Sequence, residues 1–344
     1  MMRRFFLSCC FVLLSLPMLA RADVALNPDH PQRYVVVKGD TLWDISGMFL
    51  KFPWHWPDIW HVNPQIENPH LIYPGDVLAL VYRDGKPVLE LTRGPVTYKL
   101  SPEMRETALQ QAIPTIPLDA LRPFLSRPSV ISADVLERAP YVVASSEERL
   151  ISGAGDKVYV KNANSDDGKH YSVFRGGSVY TDPVTEELLG YEAIYIADAW
   201  LSSIAEISTA ELRETNREVL VGDRLLPVVD DQYEANFFPH APDSSFEGQI
   251  ISVFDGVSQV GQYQVVVLNR GEREGLEVGH ALSVYQAGDV IRDTVSEDPK
   301  DTVTLPDEYA GVALVFKVFE KVSYAIVMKA NRAMHVGDRV SAAN

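Results

Sequence analysis

Hydrophobic positions along the first hundred residues change period twice, and those changes set out the first folded unit. A β-branched run, Tyr34–Val37, stops at Lys38-Gly39-Asp40, a strand-to-helix turn. Leu42, Ile45 and Phe49 then recur at i, i+3 and i+7, the spacing of one helix face. Asp40 or Thr41 supplies the cap, since a short side-chain oxygen satisfies one of the first free amides. Pro53 forbids continuation. A second short helix is expected from Pro57 through Ile59 and Trp60, ending by Asn63-Pro64. After the polar loop Gln65–His70, the turn Leu71-Ile72-Tyr73-Pro74-Gly75-Asp76 feeds a last strand, Val77–Val81. The pattern is strand, helix, helix, strand.

Arg83–Pro95 is polar, with a turn signal at Asp84-Gly85. Prolines then recur at 102, 114, 117, 123, 128 and 140, which excludes one long helix. Short helical pieces, Leu118–Leu125 and Ala133–Arg138, joined by stiff elbows are expected instead. Beyond Tyr141 the texture becomes β. Val-, Ile- and Tyr-rich runs at Lys157–Val160, Tyr171–Phe174, Tyr191–Ile196 and Ala199–Ile207 are separated by Gly, Asp and Asn. An acidic, proline-bearing break follows Asp230. A second β-rich stretch then contains Gly248–Val253, Tyr263–Leu268, His280–Tyr285, Val312–Val318 and Val322–Met328.

The two β-rich stretches read as copies. Tyr171-Ser172-Val173-Phe174 recurs as Leu282-Ser283-Val284-Tyr285, and Gly190–Leu201 aligns with Gly311–Val322. Val221-Gly222-Asp223-Arg224 recurs as Val336-Gly337-Asp338-Arg339. In that last block Gly permits positive φ and Asp closes a turn, so a structural job is expected for Asp223 and Asp338. The expected organisation is multidomain α+β: an N-terminal βααβ module followed by two mostly-β, repeat-like domains. Its boundaries are a leader (1–22), the module (33–82), a Pro-rich connector (83–140), the first β domain (141–228), a linker (229–245) and the second β domain (246–344).

Targeting and charge narrow the setting. Met1-Met2-Arg3-Arg4, the apolar run Phe5–Leu19 and Ala20-Arg21-Ala22 have the layout of a secretory signal peptide. The run is too short for a comfortable transmembrane helix, so the mature protein is expected to have no membrane span. Both cysteines, Cys9 and Cys10, lie inside the leader, and after cleavage no disulfide or thiol chemistry would remain. The chain carries a formal net charge of −16, and losing Arg3, Arg4 and Arg21 makes it more acidic. Nucleic acid is therefore excluded as a partner on electrostatic grounds. A secreted, cysteine-free protein of this kind fits a bacterial periplasm.

The Lys38-Gly39-Asp40-Thr41-Leu42-Trp43 opening and the Asn68-Pro69-His70-Leu71-Ile72-Tyr73-Pro74-Gly75-Asp76 closing resemble a LysM module at the right separation. That resemblance implies binding of N-acetylglucosamine-containing glycans, chiefly peptidoglycan, in a groove between the two turns. Gly39, Asp40, Thr41 and Leu42 would form one wall, and Asn68, Pro69, Leu71 and Ile72 the other. Free amides at a helix start can donate to an acetamido carbonyl, and Leu and Ile can pack its methyl. With Pro117–Leu125 and the terminal Val315–Ala325 segment, nearly the whole mature chain resembles the LysM-containing, secretin-associated protein family of type IV pili (TsaP). The C-terminal part of that family is similar to the flagellar assembly protein FlgT. The resemblance implies a periplasmic protein, associated with cell wall and outer membrane, whose protein partner is the outer-membrane secretin oligomer.

Other constellations compete with this reading. Four of the five tryptophans lie between Trp43 and Trp60. Trp43 and Trp60 read as core, whereas Trp54 and Trp56 are open between core packing and an extended glycan subsite, because indoles stack on sugar rings. His55, His61 and His70 match no zinc-finger or His-Glu-x-x-His spacing, so no metal or other cofactor is expected. The carboxylates are scattered, and no pair reads as general acid and base. A non-catalytic anchor is thus expected. A LysM-targeted murein hydrolase and a flagellar or envelope assembly factor are the alternatives.

Overall fold

The computed structural model describes residues 24–343 apart from 61–71, 93–111, 118–120, 122–123, 125–129, 147–148, 165–167, 229–236, 255–258, 297 and 299. The fold is mostly β, with an N-terminal βααβ element followed by further β domains, one of them a closed barrel. The described α-helices are short: α1 (Leu42–Phe49), α2 (Trp56–Trp60) and α3 (Ala133–Arg138). None of them is long and apolar enough to cross a membrane. Proline and glycine density keeps helical runs brief, and the long apolar alternations all went into strands.

The N-terminal unit forms as the hydrophobic period dictates, with one addition. β1 (Arg33–Val35) pairs antiparallel with β2 (Val77–Arg83), and α1 and α2 lie between them in sequence. A third strand, β3 (Lys86–Thr92), extends the sheet in the order β1-β2-β3 and pairs with β2 from Val77↔Thr92 to Arg83↔Lys86. The connector expected from residue 83 therefore begins with a strand of this unit. Asp84 and Gly85, at φ 51° and 77°, make the tight hairpin turn that right-handed strand twist favours. Pro87 is tolerated because β3 is an edge strand. The core joins Leu42, Ile45, Phe49, Trp56, Ile59, Trp60, Ile72, Leu78 and Leu89, and Ile113 enters it from the middle of the same connector. At the connector's other end β4 (Val130–Ile131) pairs with the first β domain. The expected helix Leu118–Leu125 falls largely outside the described residues.

Each β-rich stretch closes into a ring of six strands. In the first, β5 (Tyr141–Ser145), β6 (Lys157–Lys161), β7 (His170–Thr181), β8 (Leu188–Ser203), β9 (Ile207–Thr215) and β10 (Arg224–Pro227) run in the order β8-β7-β10-β5-β6-β9, and β8–β9 pairing closes it. In the second, β11 (Glu247–Val253), β12 (Val265–Leu268), β13 (Ala281–Gln286), β16 (Glu308–Val318), β17 (Ser323–Ala330) and β18 (Arg339–Ala342) form a closed barrel in the order β11-β12-β17-β16-β13-β18. A small hairpin, β14 (Val290–Arg292) with β15 (Thr302–Thr304), is inserted between β13 and β16. Closure removes the free edges that such strands would otherwise present.

Registers show how the copies correspond. Val142↔Val160 in the first ring matches Ile250↔Leu268 in the second, and a bulge follows each pair. Tyr171↔Ala199 and Phe174↔Tyr195 match Leu282↔Ala313 and Tyr285↔Tyr309, again with a bulge just before the second pair. The counterpart of Gly311 is thus Ala197. The alignment of Gly190–Leu201 with Gly311–Val322 was out of register, because apolar alternation alone does not fix the offset between two long strands. The Val-Gly-Asp-Arg turns do superpose in role. Asp223 accepts from the Leu220 amide and Asp338 from the His335 amide, each at 2.8 Å.

The units pack on one another. The β7–β8 hairpin projects from the first ring, and its tip residue Asp182 accepts hydrogen bonds from Asn269 (2.9 Å) and Arg270 (3.0 Å) of the second. One apolar cluster takes in Trp43 and Trp54 of the first unit, Tyr180 and Leu189 of the hairpin, and Phe316 and Tyr324 of the second barrel. The expected linker 229–245 is in part packed structure. Phe237 is buried, and His240 bridges to His280.

Candidate functional site

Two turns define the site, and an aspartate closes each. In the first, Gly39 has φ 102°, which only glycine adopts without strain. Asp40 accepts from the Val37 amide and the Tyr34 hydroxyl, both at 2.9 Å. Burial, then Asp40, raises the Tyr34 pKa above its ordinary value, so this phenol stays protonated and donates. The cap itself is Thr41, whose hydroxyl oxygen accepts from the Asp44 amide at 3.1 Å. In the second turn Gly75 has φ 97°, and Asp76 accepts from the Tyr73 amide at 3.0 Å. The turns are stitched together: Gly75 N donates to Val36 O (2.7 Å) and Val36 N to Asp76 O (2.9 Å).

Between these turns lies a segment of the chain itself. Leu42 N donates to Pro114 O at 2.9 Å and Trp43 N to Thr115 O at 3.0 Å. Ile113 N donates to Ile72 O at 2.8 Å. These are the helix-start amides expected to be free for a ligand, and here they hold main chain. Ile113, Thr115 and Ile116 are buried in the process. Sequence reasoning missed this segment, because its bonds to the turns are main chain and two isoleucines do not say which cores they enter. Its prolines, Pro114 and Pro117, were the only hint of an extended conformation.

The expected wall residues divide accordingly. Gly39 is exposed and Asp40 half-buried, on the outer side of the first turn. Leu42 and Ile72 are 3% and 0% exposed, so their side chains are core, and what they offer at the groove is an amide and a carbonyl. Thr41 is buried as the cap. Asn68, Pro69 and Leu71 lie outside the described residues.

Trp54 and Trp56, open in the sequence between core and subsite, are packed inside. They are 4% and 1% exposed. Trp54 packs against Trp43 and Phe52, with ring centroids 6.5 and 5.2 Å away, and Trp56 stacks on Phe238 at 6.0 Å. A small domain filled its interior with the large apolar side chains available to it.

Histidines meet elsewhere than their spacing suggested. His55 pairs with Asp58 at 2.8 Å, and His61 and His70 lie outside the described residues. A cluster unseen in the sequence is His240, Glu277 and His280, whose polar side-chain atoms lie within 4.8 Å of one another. It arises because the chain after the break pairs back onto His280, the residue just before β13. His280 Nδ1 accepts the Glu277 amide at 3.0 Å, which leaves the proton of the neutral ring on Nε2. Burial, then the neighbouring His240, lowers the His280 pKa, keeping it neutral. That arrangement suits a packed pair of rings better than a metal.

Residues 34–80 match the LysM domain family. The uncharacterized protein YqbP of Bacillus subtilis (strain 168) is 40% identical over 60 residues, covering 14% of this chain and 27% of that protein. Residues 34–80 are thus a LysM domain, a binding module rather than a catalytic one, and the match points to peptidoglycan or carbohydrate as ligand.

Proposed function

We propose that this protein is a non-catalytic tether that holds peptidoglycan through its LysM domain and a protein partner through its two barrels. The observation that carries the glycan half is the LysM match itself, with both turns closed by Asp40 and Asp76. An N-acetyl group presents one carbonyl, one N–H and one methyl. Leu42 N, Trp43 N and Ile72 O are main-chain groups of matching polarity converging on one place.

The partner half is the outer-membrane secretin of a type IV pilus, in the periplasm, as the resemblance of the whole chain implies. The packing of the units supports a load-bearing role. The LysM domain, the β7–β8 hairpin and the second barrel share one apolar cluster, so force on a barrel reaches the glycan module through packed side chains. A single shallow groove binds weakly, and a ring of subunits around an oligomeric pore would multiply its hold through effective concentration. Cross-linking in intact cells, followed by identification of the attached protein, tests this half. Capture of a secretin supports it, and capture of a flagellar ring protein in its place overturns it.

A further inference from the structure

We infer that Ile113–Ile116 is an internal plug of the LysM groove, and that glycan and plug compete for the same main-chain groups. This rests on the glycan-binding reading above. The argument is chemical. The groove contributes two N–H donors, Leu42 and Trp43, and one acceptor, Ile72 O, and the plug uses all three at 2.8 to 3.0 Å. What it presents to them are peptide groups, and an acetamido substituent is itself a secondary amide with a methyl. The plug therefore satisfies the groove with the functional group that the sugar would bring. Pro114 and Pro117 fix φ on either side of Thr115, so little further freedom is lost when the segment lies extended.

Two buried anchors hold it. Ile113 enters the LysM core beside Leu42, Ile72 and Leu89, and Ile116 enters the apolar cluster shared with Trp43, Trp54 and Tyr324. Thr115 between them is 2% exposed. A sugar reaching Leu42 N and Trp43 N must displace Pro114 O and Thr115 O, so the affinity seen by a glycan is the intrinsic one reduced by the fraction of molecules whose plug is out. Because Ile116 packs with residues of the second barrel, departure of the plug alters that barrel's contacts as well.

The test compares the chain from Asp23 onward with its I113A/I116A variant, using a soluble N-acetylglucosamine oligomer as ligand. The variant should bind at least about tenfold more tightly. Amide hydrogen exchange, read on the unaltered protein with and without oligomer, covers the case in which the variant fails to fold. Adding sugar should deprotect the Ile113 amide while Leu42 and Trp43 stay protected. Equal affinity of the two proteins, or an Ile113 amide that stays protected at saturating sugar, overturns the plug and leaves glycan binding standing at another surface. No binding by either protein, with the Leu42 and Trp43 amides of the variant exchanging freely, overturns the glycan reading and the plug with it.

Discussion

Tyr263 of the second barrel donates its hydroxyl hydrogen bond to Asp44 on α1, 3.2 Å away. The same aspartate accepts the Thr41 hydroxyl at 2.7 Å, so the residue that caps the LysM helix is also tied to a barrel far along the chain. Burial, then Asp44, raises the Tyr263 pKa, which keeps the proton on the phenol where the bond needs it. Tyr263→Phe removes this link and leaves the ring. A loss of about 0.5–1.5 kcal/mol is expected in urea unfolding. The LysM transition should separate more readily from that of the barrels.

Asp182, at the hairpin tip, is 4% exposed and accepts from the Val184 and Thr185 amides at 2.9 Å, besides Asn269 and Arg270. Burial opposes its charge, but the two amides and then Arg270 and Asn269 outweigh burial and lower its pKa to about 2. A carboxylate with a depressed folded pKa stabilises fully above its unfolded value of 3.8 and loses that contribution as pH falls towards about 2. Asp182→Ala should cost about 2–3 kcal/mol at neutral pH. Its unfolding curves from pH 5 to pH 2 should be flatter than those of the unaltered chain.

His280 adds a second loss of stability towards acid, beginning at a higher pH than that of Asp182. Its folded pKa lies below 6.5, through burial and the facing His240, although Glu277 and Asp243 pull the other way. As pH drops through 6.5 the unfolded chain takes up a proton that the folded one resists, so stability declines towards acid until the folded ring titrates. His280→Asn should flatten stability between pH 7 and pH 5, measured by thermal unfolding.

Asp76 is 8% exposed and holds the second LysM turn through the Tyr73 amide, while its own carbonyl accepts Val36 N. Asp76→Ala should destabilise the LysM unit by about 1–3 kcal/mol. Hydrogen exchange should show the loss at Val36 and Gly75 first, with the barrels unchanged.

How far these features could be read from sequence depends on what encodes them. The LysM turns were visible because Gly39-Asp40 and Gly75-Asp76 each need a glycine at positive φ beside a carboxylate that closes the loop. The duplication was visible in the Val-Gly-Asp-Arg turns for the same reason. Strand β3 was not, since Lys86-Pro87 and Glu90 made the run look polar and an edge strand needs only one buried face. Barrel closure is set by β8–β9 pairing between residues that carry no partner-specific pattern. The plug was hinted at only by Pro114 and Pro117, because its hydrogen bonds to Leu42, Trp43 and Ile72 are all main chain. Trp54 and Trp56 were ambiguous in the sequence, and burial decided them, since core and sugar platform call for the same residue.

Co-sedimentation with purified sacculi tests the glycan claim most directly. The chain from Asp23 onward should pellet with intact sacculi at moderate salt, leave their turbidity unchanged, and be released by soluble N-acetylglucosamine oligomer. Protein that stays in the supernatant with or without the plug anchors, or sacculi that clear on incubation, would contradict the account.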